Sequence, residues 1–189
     1  FATHNQNKVN EIKNYIPKNI NLISLYDIGY KNEIKETGKS FHENALIKAR
    51  HINNKFGINC FSDDSGLQVD CLNGEPGVFS ARYAGKPYDS EKNIDFLLDK
   101  MKNSKYRNAN FKTCIVLIHG NNIKFFEGKV EGEILNKRRG SKGFGYDSIF
   151  MPKGFKNSFG ELSMTKKNKI SHRGIALRQL INYLTDNFH

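Results

Sequence analysis

Two carboxylates stand side by side at Asp63 and Asp64, within Ser62-Asp63-Asp64-Ser65-Gly66, immediately after the stretch Ile58-Asn59-Cys60-Phe61. That stretch reads as a short buried strand, and the C-terminal ends of such strands are where open α/β sheets gather their ligands. Burying an unpaired carboxylate is costly, so a metal ion or a cationic side chain is expected beside them. Adjacent Asp side chains point different ways, so the two acids need not share a task. One can hold Mg²⁺, which takes oxygen ligands and keeps several waters, while the same group or its neighbour orients or deprotonates an attacking water. The plainer reading, an Asx turn with solvated acids, fits less well so close to a core strand.

Four further groupings carry complementary chemistry. Thr3-His4-Asn5-Gln6-Asn7-Lys8 lies where an opening strand turns into a helix. The unpaired N–H groups of a helix N-terminus, side-chain donors from Thr3 and Asn5, and Lys8 reaching back from the first turn make a phosphate cradle without the glycines of a Walker loop. An ordinary polar cap with a surface lysine is the competing reading. Glu33, Glu36 and Glu43 surround Thr37-Gly38, and any of them can complete a magnesium site with Asp64, although the capping box from Ser40 to Glu43 also explains the last. In Gly143-Phe144-Gly145-Tyr146-Asp147 the glycines let backbone approach a ligand, the aromatics can stack on a base and the acid can accept from ring N–H groups; a tight aromatic turn closing a sheet is the alternative. Finally, Lys167 precedes Ser171-His172-Arg173 at the start of the last helix. Cations are disfavoured at that end of a helix dipole, so His172 and Arg173 need a reason to be there. The fixed fork of Arg173, aimed at a keto oxygen, would separate a 6-keto purine from adenine.

The elements that must position these groups follow an α/β rhythm. Phe1 to Thr3 read as the end of a strand, and a helix capped by Asn5 carries Val9, Ile12, Tyr15 and Ile16 at helical spacing until Pro17 stops it. A strand is expected over Ile20 to Tyr26, a polar loop over Tyr30 to Lys39, and a helix from Ser40 to about Phe56. The Ile58–Phe61 strand runs straight into Ser62–Gly66, Leu67 to Leu72 is extended again and Asn73-Gly74 turns. A helix spans Ser90 to Met101, and the long strands Asn110 to His119 and Ile123 to Leu135 form a hairpin through Gly120-Asn121-Asn122. Ser163 starts a short helix and Ser171 caps the final one, which runs to about Asn187.

The 189 residues suit one domain, or two lobes around a shared core. The net charge of +11 attracts polyanions, either nucleic acid or phosphorylated small molecules. The lysines are scattered, and no helix-turn-helix, RNP-like or zinc-spaced motif supports a nucleic-acid-binding role. Cys60, Cys71 and Cys114 form no Cys-x-x-Cys pair and read as small core residues, so a reducing cytoplasm is the expected compartment. No apolar run approaches the roughly 20 residues of a membrane span, no membrane association is expected, and no leader is legible.

Taken together, the motifs resemble the inosine triphosphate pyrophosphatase family, which removes non-canonical purine nucleotides such as ITP, dITP and XTP. The likeness covers essentially the whole chain. It is carried by Thr3 to Lys8, Glu36-Thr37-Gly38 with Phe41-His42-Glu43-Asn44-Ala45, Asp63-Asp64-Ser65-Gly66-Leu67, Pro76 to Tyr83, Phe144-Gly145-Tyr146-Asp147 and Ser171-His172-Arg173, in that order. The resemblance implies a single domain over 1–189: an elongated, two-lobed α/β fold with a long mixed sheet flanked by helices, an active-site cleft between the lobes, and a homodimer. It implies cleavage of a nucleoside triphosphate to the monophosphate and pyrophosphate with Mg²⁺. Thr3, Asn5 and Lys8, with His4, Gln6 and Asn7 in the same segment, would hold the triphosphate. Asp64 would bind the metal and act as general base, with Glu36 as its partner ligand and Ser65 touching substrate. Phe144 would stack on the base within Phe144-Gly145-Tyr146-Asp147, Asp147, His172 and Arg173 would read its edge, and Lys167 would lie near the sugar and phosphates. The chain departs from the family at His4, where glycine is common, at Ser148 and Lys142, and at Lys35, where relatives often carry a second acid beside Glu36.

Overall fold

The computed structural model describes residues 1–13, 15–16 and 20–187. Among the described residues there are five α-helices and four strands: α1 (Gln6–Lys13), α2 (Phe41–Phe56), β1 (Cys60–Val69), α3 (Ser90–Lys100), β2 (Asn108–His119), β3 (Asn122–Ile134), β4 (Phe150–Pro152), α4 (Met164–Ile170) and α5 (His172–Asn187). The α/β class expected from the sequence holds. The strands form a four-stranded sheet with neighbours in chain order, β1-β2-β3-β4. Strands β3 and β4 pair antiparallel, with Glu133 opposite Met151. No helix among the described residues is long and apolar enough to cross a membrane.

Helices α2 and α3 begin where the sequence places them. Ser40 accepts from the Glu43 N–H to open α2, and Asp89 accepts from the N–H groups of Glu91 and Lys92 to open α3. The opening of the chain differs from expectation. Neither Phe1–Thr3 nor 20–26 is a strand. Ala2 N–H does reach Phe61 O (2.8 Å), but Thr3 N–H folds back onto Phe1 O (2.9 Å), which ends any ladder. Over 20–26 a turn wins, because Asp27 Oδ2 accepts from both the N–H and the hydroxyl of Ser24 (2.7 Å each) and Tyr30 N–H closes onto Leu25 O (2.9 Å). Such local side-chain bonds compete directly with strand pairing. Pro17, expected to stop the first helix, lies outside the described residues.

The structure also joins the two extended stretches expected on either side of the acids: Ser62–Gly66 is the middle of one continuous strand, β1. Beyond Val69 the expected extension gives way to a 3₁₀ turn over Asp70–Leu72, which carries Cys71 into solvent, whereas Cys60 and Cys114 are buried as expected.

The chain divides into two compact units, one of residues 1–64, 113–128 and 173–189, the other of 65–112 and 129–172. The first has a core of Phe1, Val9, Ile12, Phe61, Ile115, Leu117 and Phe126 with Ala176, Leu177 and Leu180 of α5. The second packs Ile94, Leu97 and Met101 of α3 against Leu67, Val69, Phe111, Ile134, Phe150 and Phe159.

Candidate active site

Strand β1 sorts its side chains by the two-residue period of extended backbone. Cys60, Ser62 and Asp64 turn toward α2: Cys60 Sγ donates to Ala49 O (3.3 Å), Ser62 Oγ to Ala45 O, and Asp64 Oδ2 accepts from Asn44 Nδ2 (3.1 Å). Asp63 points the other way, toward Lys8 of α1 and Arg173 of α5. Both acids are buried, so solvated carboxylates on an Asx turn are excluded.

Asp63 is enclosed by positive charge. Lys8 Nζ lies 3.0 Å from its carboxylate oxygens, and Arg173 Nε lies 3.3 Å from Oδ2. Burial pushes the Asp63 pKa up, but Lys8, Arg173 and Lys48 outweigh it and hold the carboxyl at about 2. Lys8 faces a poorer balance: burial pulls it below its ordinary value, and Lys48 and Arg173 oppose the help it receives from Asp63. Arg173 has a second anion in Glu11 of α1, which its Nη1 contacts, and the two acids raise its pKa against the effect of burial. The cation expected to be out of place at the start of the last helix is therefore matched by two protein carboxylates.

Asp64 has the opposite character. Burial raises its pKa, and Glu36 adds to that; Lys48, Lys8 and the Asn44 hydrogen bond act against the rise without reversing it. Lys48 Nζ bonds Glu36 Oε1 and stands 3.8 Å from Asp64 Oδ1. Burial would lower Lys48, yet Asp64 and Glu36 carry it above its usual value. One strand thus presents a carboxylate locked in its ionised form and, next to it, one with enhanced proton affinity, which is the property a general base requires.

Glu36 and Asp64 also converge on a single ammonium, and this convergence is the test of fit for a divalent cation. Among the described residues no cluster of three or more His, Cys, Asp and Glu is placed to hold a metal. Mg²⁺ does not need one, since it commonly takes one or two carboxylates and completes its shell with water and phosphate oxygens. The pair fits that requirement. The segment bearing Glu36 is anchored by Asn44, whose Oδ1 accepts from Gly38 N–H (2.8 Å) while its Nδ2 holds Asp64. Gly38 is required there, because a Cβ would fall 2.6 Å from Glu43 Cβ and 2.8 Å from Asn44 Oδ1. Glu43 Oε2 accepts from Lys39 N–H and Glu33 is exposed, so of the three acids only Glu36 meets Lys48.

The Thr3–Lys8 segment leads into α1. Asn5 Oδ1 accepts from the N–H groups of Asn7 (3.0 Å) and Lys8 (3.3 Å), and Thr3 Oγ1 accepts from Asn5 N–H (3.1 Å). The cap expected from the sequence is present, with Asn5, Gln6 and Asn7 exposed and Lys8 turned inward to Asp63.

The remaining candidates lie in the second unit. Asp147 is buried, pairs with Lys167 Nζ (2.7 Å) and accepts from Phe144 N–H (2.8 Å). The Lys167 ammonium sits 4.9 Å from the centre of the Phe144 ring. Gly143, at φ +77°, admits no side chain, since a Cβ would lie 2.0 Å from Asp147 Oδ2. Tyr146 is buried and donates to Ser80 O (2.9 Å), and burial pushes its phenol pKa upward. Gly145 opens the 3₁₀ turn Gly145–Ile149 that carries Tyr146 and Asp147. His172 is buried and stacked on Phe111, centroids 4.7 Å apart. Ser65 lies in β1, directly after Asp64.

Sequence reasoning missed Lys48 and Glu11, and gave Asn44 no role. The signal for Lys48 was its position four residues after Asn44, which puts both on one face of α2. Glu11 gave none, because an acid beside Ile12 in a short helix reads as a solvated face.

The Ham1 family model matches residues 1–183. A dITP/XTP pyrophosphatase of Christiangramia forsetii is 53% identical over 185 residues, covering 98% of this chain and 97% of its own. A dITP/XTP pyrophosphatase of Bacillus subtilis is 44% identical over 188 residues, covering 97% and 95%. Among solved structures, a HAM1 protein from Coxiella burnetii aligns with a TM-score of 0.90 at 38% identity, over 97% of this chain and 96% of its own. The Ham1 protein of Staphylococcus aureus aligns at 0.89 and 38%, over 98% and 96%. On a match that spans nearly every residue in both sequence and backbone, this chain belongs to the Ham1 family.

Proposed function

We propose that this chain hydrolyses non-canonical purine nucleoside triphosphates, dITP and XTP among them, to the monophosphate and pyrophosphate, and so cleanses the nucleotide pool. The observation that carries the chemistry is the division of labour along β1: Asp63 is held ionised among cations, while Asp64 has raised proton affinity and faces Glu36 and Lys48. The relatives described above supply the substrate class through their names.

Asp64 takes the proton from a water whose oxygen forms a bond to the α-phosphorus, and the bond from that phosphorus to the pyrophosphate oxygen breaks. Lys8 and Lys48 bring the positive charge that the leaving pyrophosphate needs, the electrostatic contribution that dominates phosphoryl-type transfer. Glu36 and Asp64 would hold Mg²⁺, which would neutralise the triphosphate. Thr3, Asn5, Gln6, Asn7 and Ser65 contact the phosphates and sugar, and His4 belongs to the same binding segment. Phe144, with Gly145 and Tyr146, stacks on the base; Asp147, His172 and Arg173 recognise its edge, with Lys167 beside the sugar. The whole chain, 1–189, acts as one catalytic domain of a cytoplasmic homodimer.

Pyrophosphate release from dITP, XTP, dUTP, dTTP and GTP tests the reading. The kcat/KM for dITP and XTP should exceed the others by at least about a hundredfold, the discrimination expected of a site that hydrogen-bonds a distinguishing group. Equal rates with dUTP or GTP would overturn the base preference. EDTA added to the same assay should abolish turnover, and Mg²⁺ should restore it; activity that persists in EDTA removes Glu36 and Asp64 as metal ligands.

A further inference from the structure

His4 lies in the Thr3–Lys8 segment, and the structure gives its ring a partner. His4 Nε2 lies 2.9 Å from Tyr30 O. A carbonyl only accepts, so Nε2 carries the hydrogen and donates, whatever the state of the other ring nitrogen. The ring also stacks on that of Tyr30 (5.9 Å, 22°) and meets Tyr26 edge-on (5.6 Å, 78°). Tyr30 is itself immobilised. It is 6% exposed, its N–H closes the turn onto Leu25 O, and Phe56 packs edge-on against its ring. Its hydroxyl lies 2.6 Å from His51 Nε2. His51 is on α2, three residues beyond Lys48 and seven beyond Asn44, the two residues that hold Asp64.

We propose that His4, Tyr30 and His51 form a strut that sets the Thr3–Lys8 segment against helix α2, which makes His4 and Tyr30 positioning residues for the bound triphosphate. The inference rests on the reading of that segment as the phosphate-binding element. A strut of this kind aligns the cation of α1 with the cation of α2 before substrate arrives, so that binding does not have to order the segment. A segment already ordered binds more tightly than one that must be ordered on binding.

The test uses the intact chain with His4→Ala, His4→Gln and Tyr30→Phe. Gln presents an amide N–H near the place of Nε2 and keeps the bond to Tyr30 O; Ala does not. His4→Ala should raise KM for dITP about tenfold, the loss of one hydrogen bond with its packing, while kcat falls much less. His4→Gln should recover most of the KM, and Tyr30→Phe should fall between. Amide hydrogen exchange without substrate gives a second readout: the N–H groups of Asn7 and Lys8 should exchange faster in His4→Ala and return toward wild type in His4→Gln. An unchanged KM and exchange in His4→Ala, or a Gln variant no better than Ala, overturns the strut. Failure of the wild-type chain to hydrolyse dITP or to bind inorganic tripolyphosphate overturns the phosphate-binding reading instead, and the exchange measurement still reports on the strut.

Discussion

Asp64→Asn should remove turnover while leaving the fold intact. Loss of a general base costs about 10²–10⁴-fold in rate, and an amide cannot accept the proton of the attacking water. The side chain keeps its shape, and its Oδ1 can still accept from Asn44 Nδ2, the bond that now reaches Asp64 Oδ2. Stability should not suffer. The folded-state pKa of Asp64 is raised above 3.8, chiefly by burial. A raised carboxyl contributes stability below its unfolded pKa and loses that contribution as pH rises through the folded value. At neutral pH the ionised group is therefore in its unfavourable form, and neutral Asn should be tolerated. The measurement is kcat for dITP beside a urea melt at pH 7. A folded variant with near-wild-type kcat would sink the assignment.

Arg173→Met should have the largest effect on stability. The substitution leaves Asp63 and Glu11 buried without the guanidinium that contacts both. Removing one partner of a buried ion pair costs about 3–5 kcal/mol, because the abandoned charge stays desolvated. The pH dependence distinguishes this cause from lost packing. Asp63 titrates at about 2 in the folded chain against 3.8 for an unperturbed Asp. Its contribution is present above about 4 and disappears as pH falls toward 2. Without Arg173 the Asp63 pKa rises, so the variant has less to lose in acid. The stability gap between wild type and variant should narrow between pH 4 and 2, read from urea midpoints across that range. A gap that stays constant would mean that the arginine acts through packing alone.

Much of the fold was legible because it rests on local rules. Ser40 with Glu43, the 3.6-residue spacing in α3, and the long β2–β3 hairpin each announce themselves within one contiguous stretch of sequence. Errors came where a local competitor was overlooked or where an element had too little pattern of its own. Asp27 captures Ser24 and turns the chain over 20–26. Strand β4 has three residues, one of them Pro152, and exists only through its pairing with β3.

The site divides in the same way. Side-chain types and order were enough to mark a phosphate-binding segment, an acidic pair and a set of cations, because those are properties of the residues themselves. That Asp63 and Asp64 point apart also follows from the strand they share. Which cation serves which acid was decided by partners far away in the chain: Lys8 lies 55 residues from Asp63, Arg173 lies 110 residues from it and 162 from Glu11. Proton affinity in a buried site is set by burial and by neighbouring charge, and neither exists until those segments pack together. The contrast between an acid held ionised down to about pH 2 and a neighbour with raised proton affinity is thus a property of the assembled structure, written in no single stretch of residues.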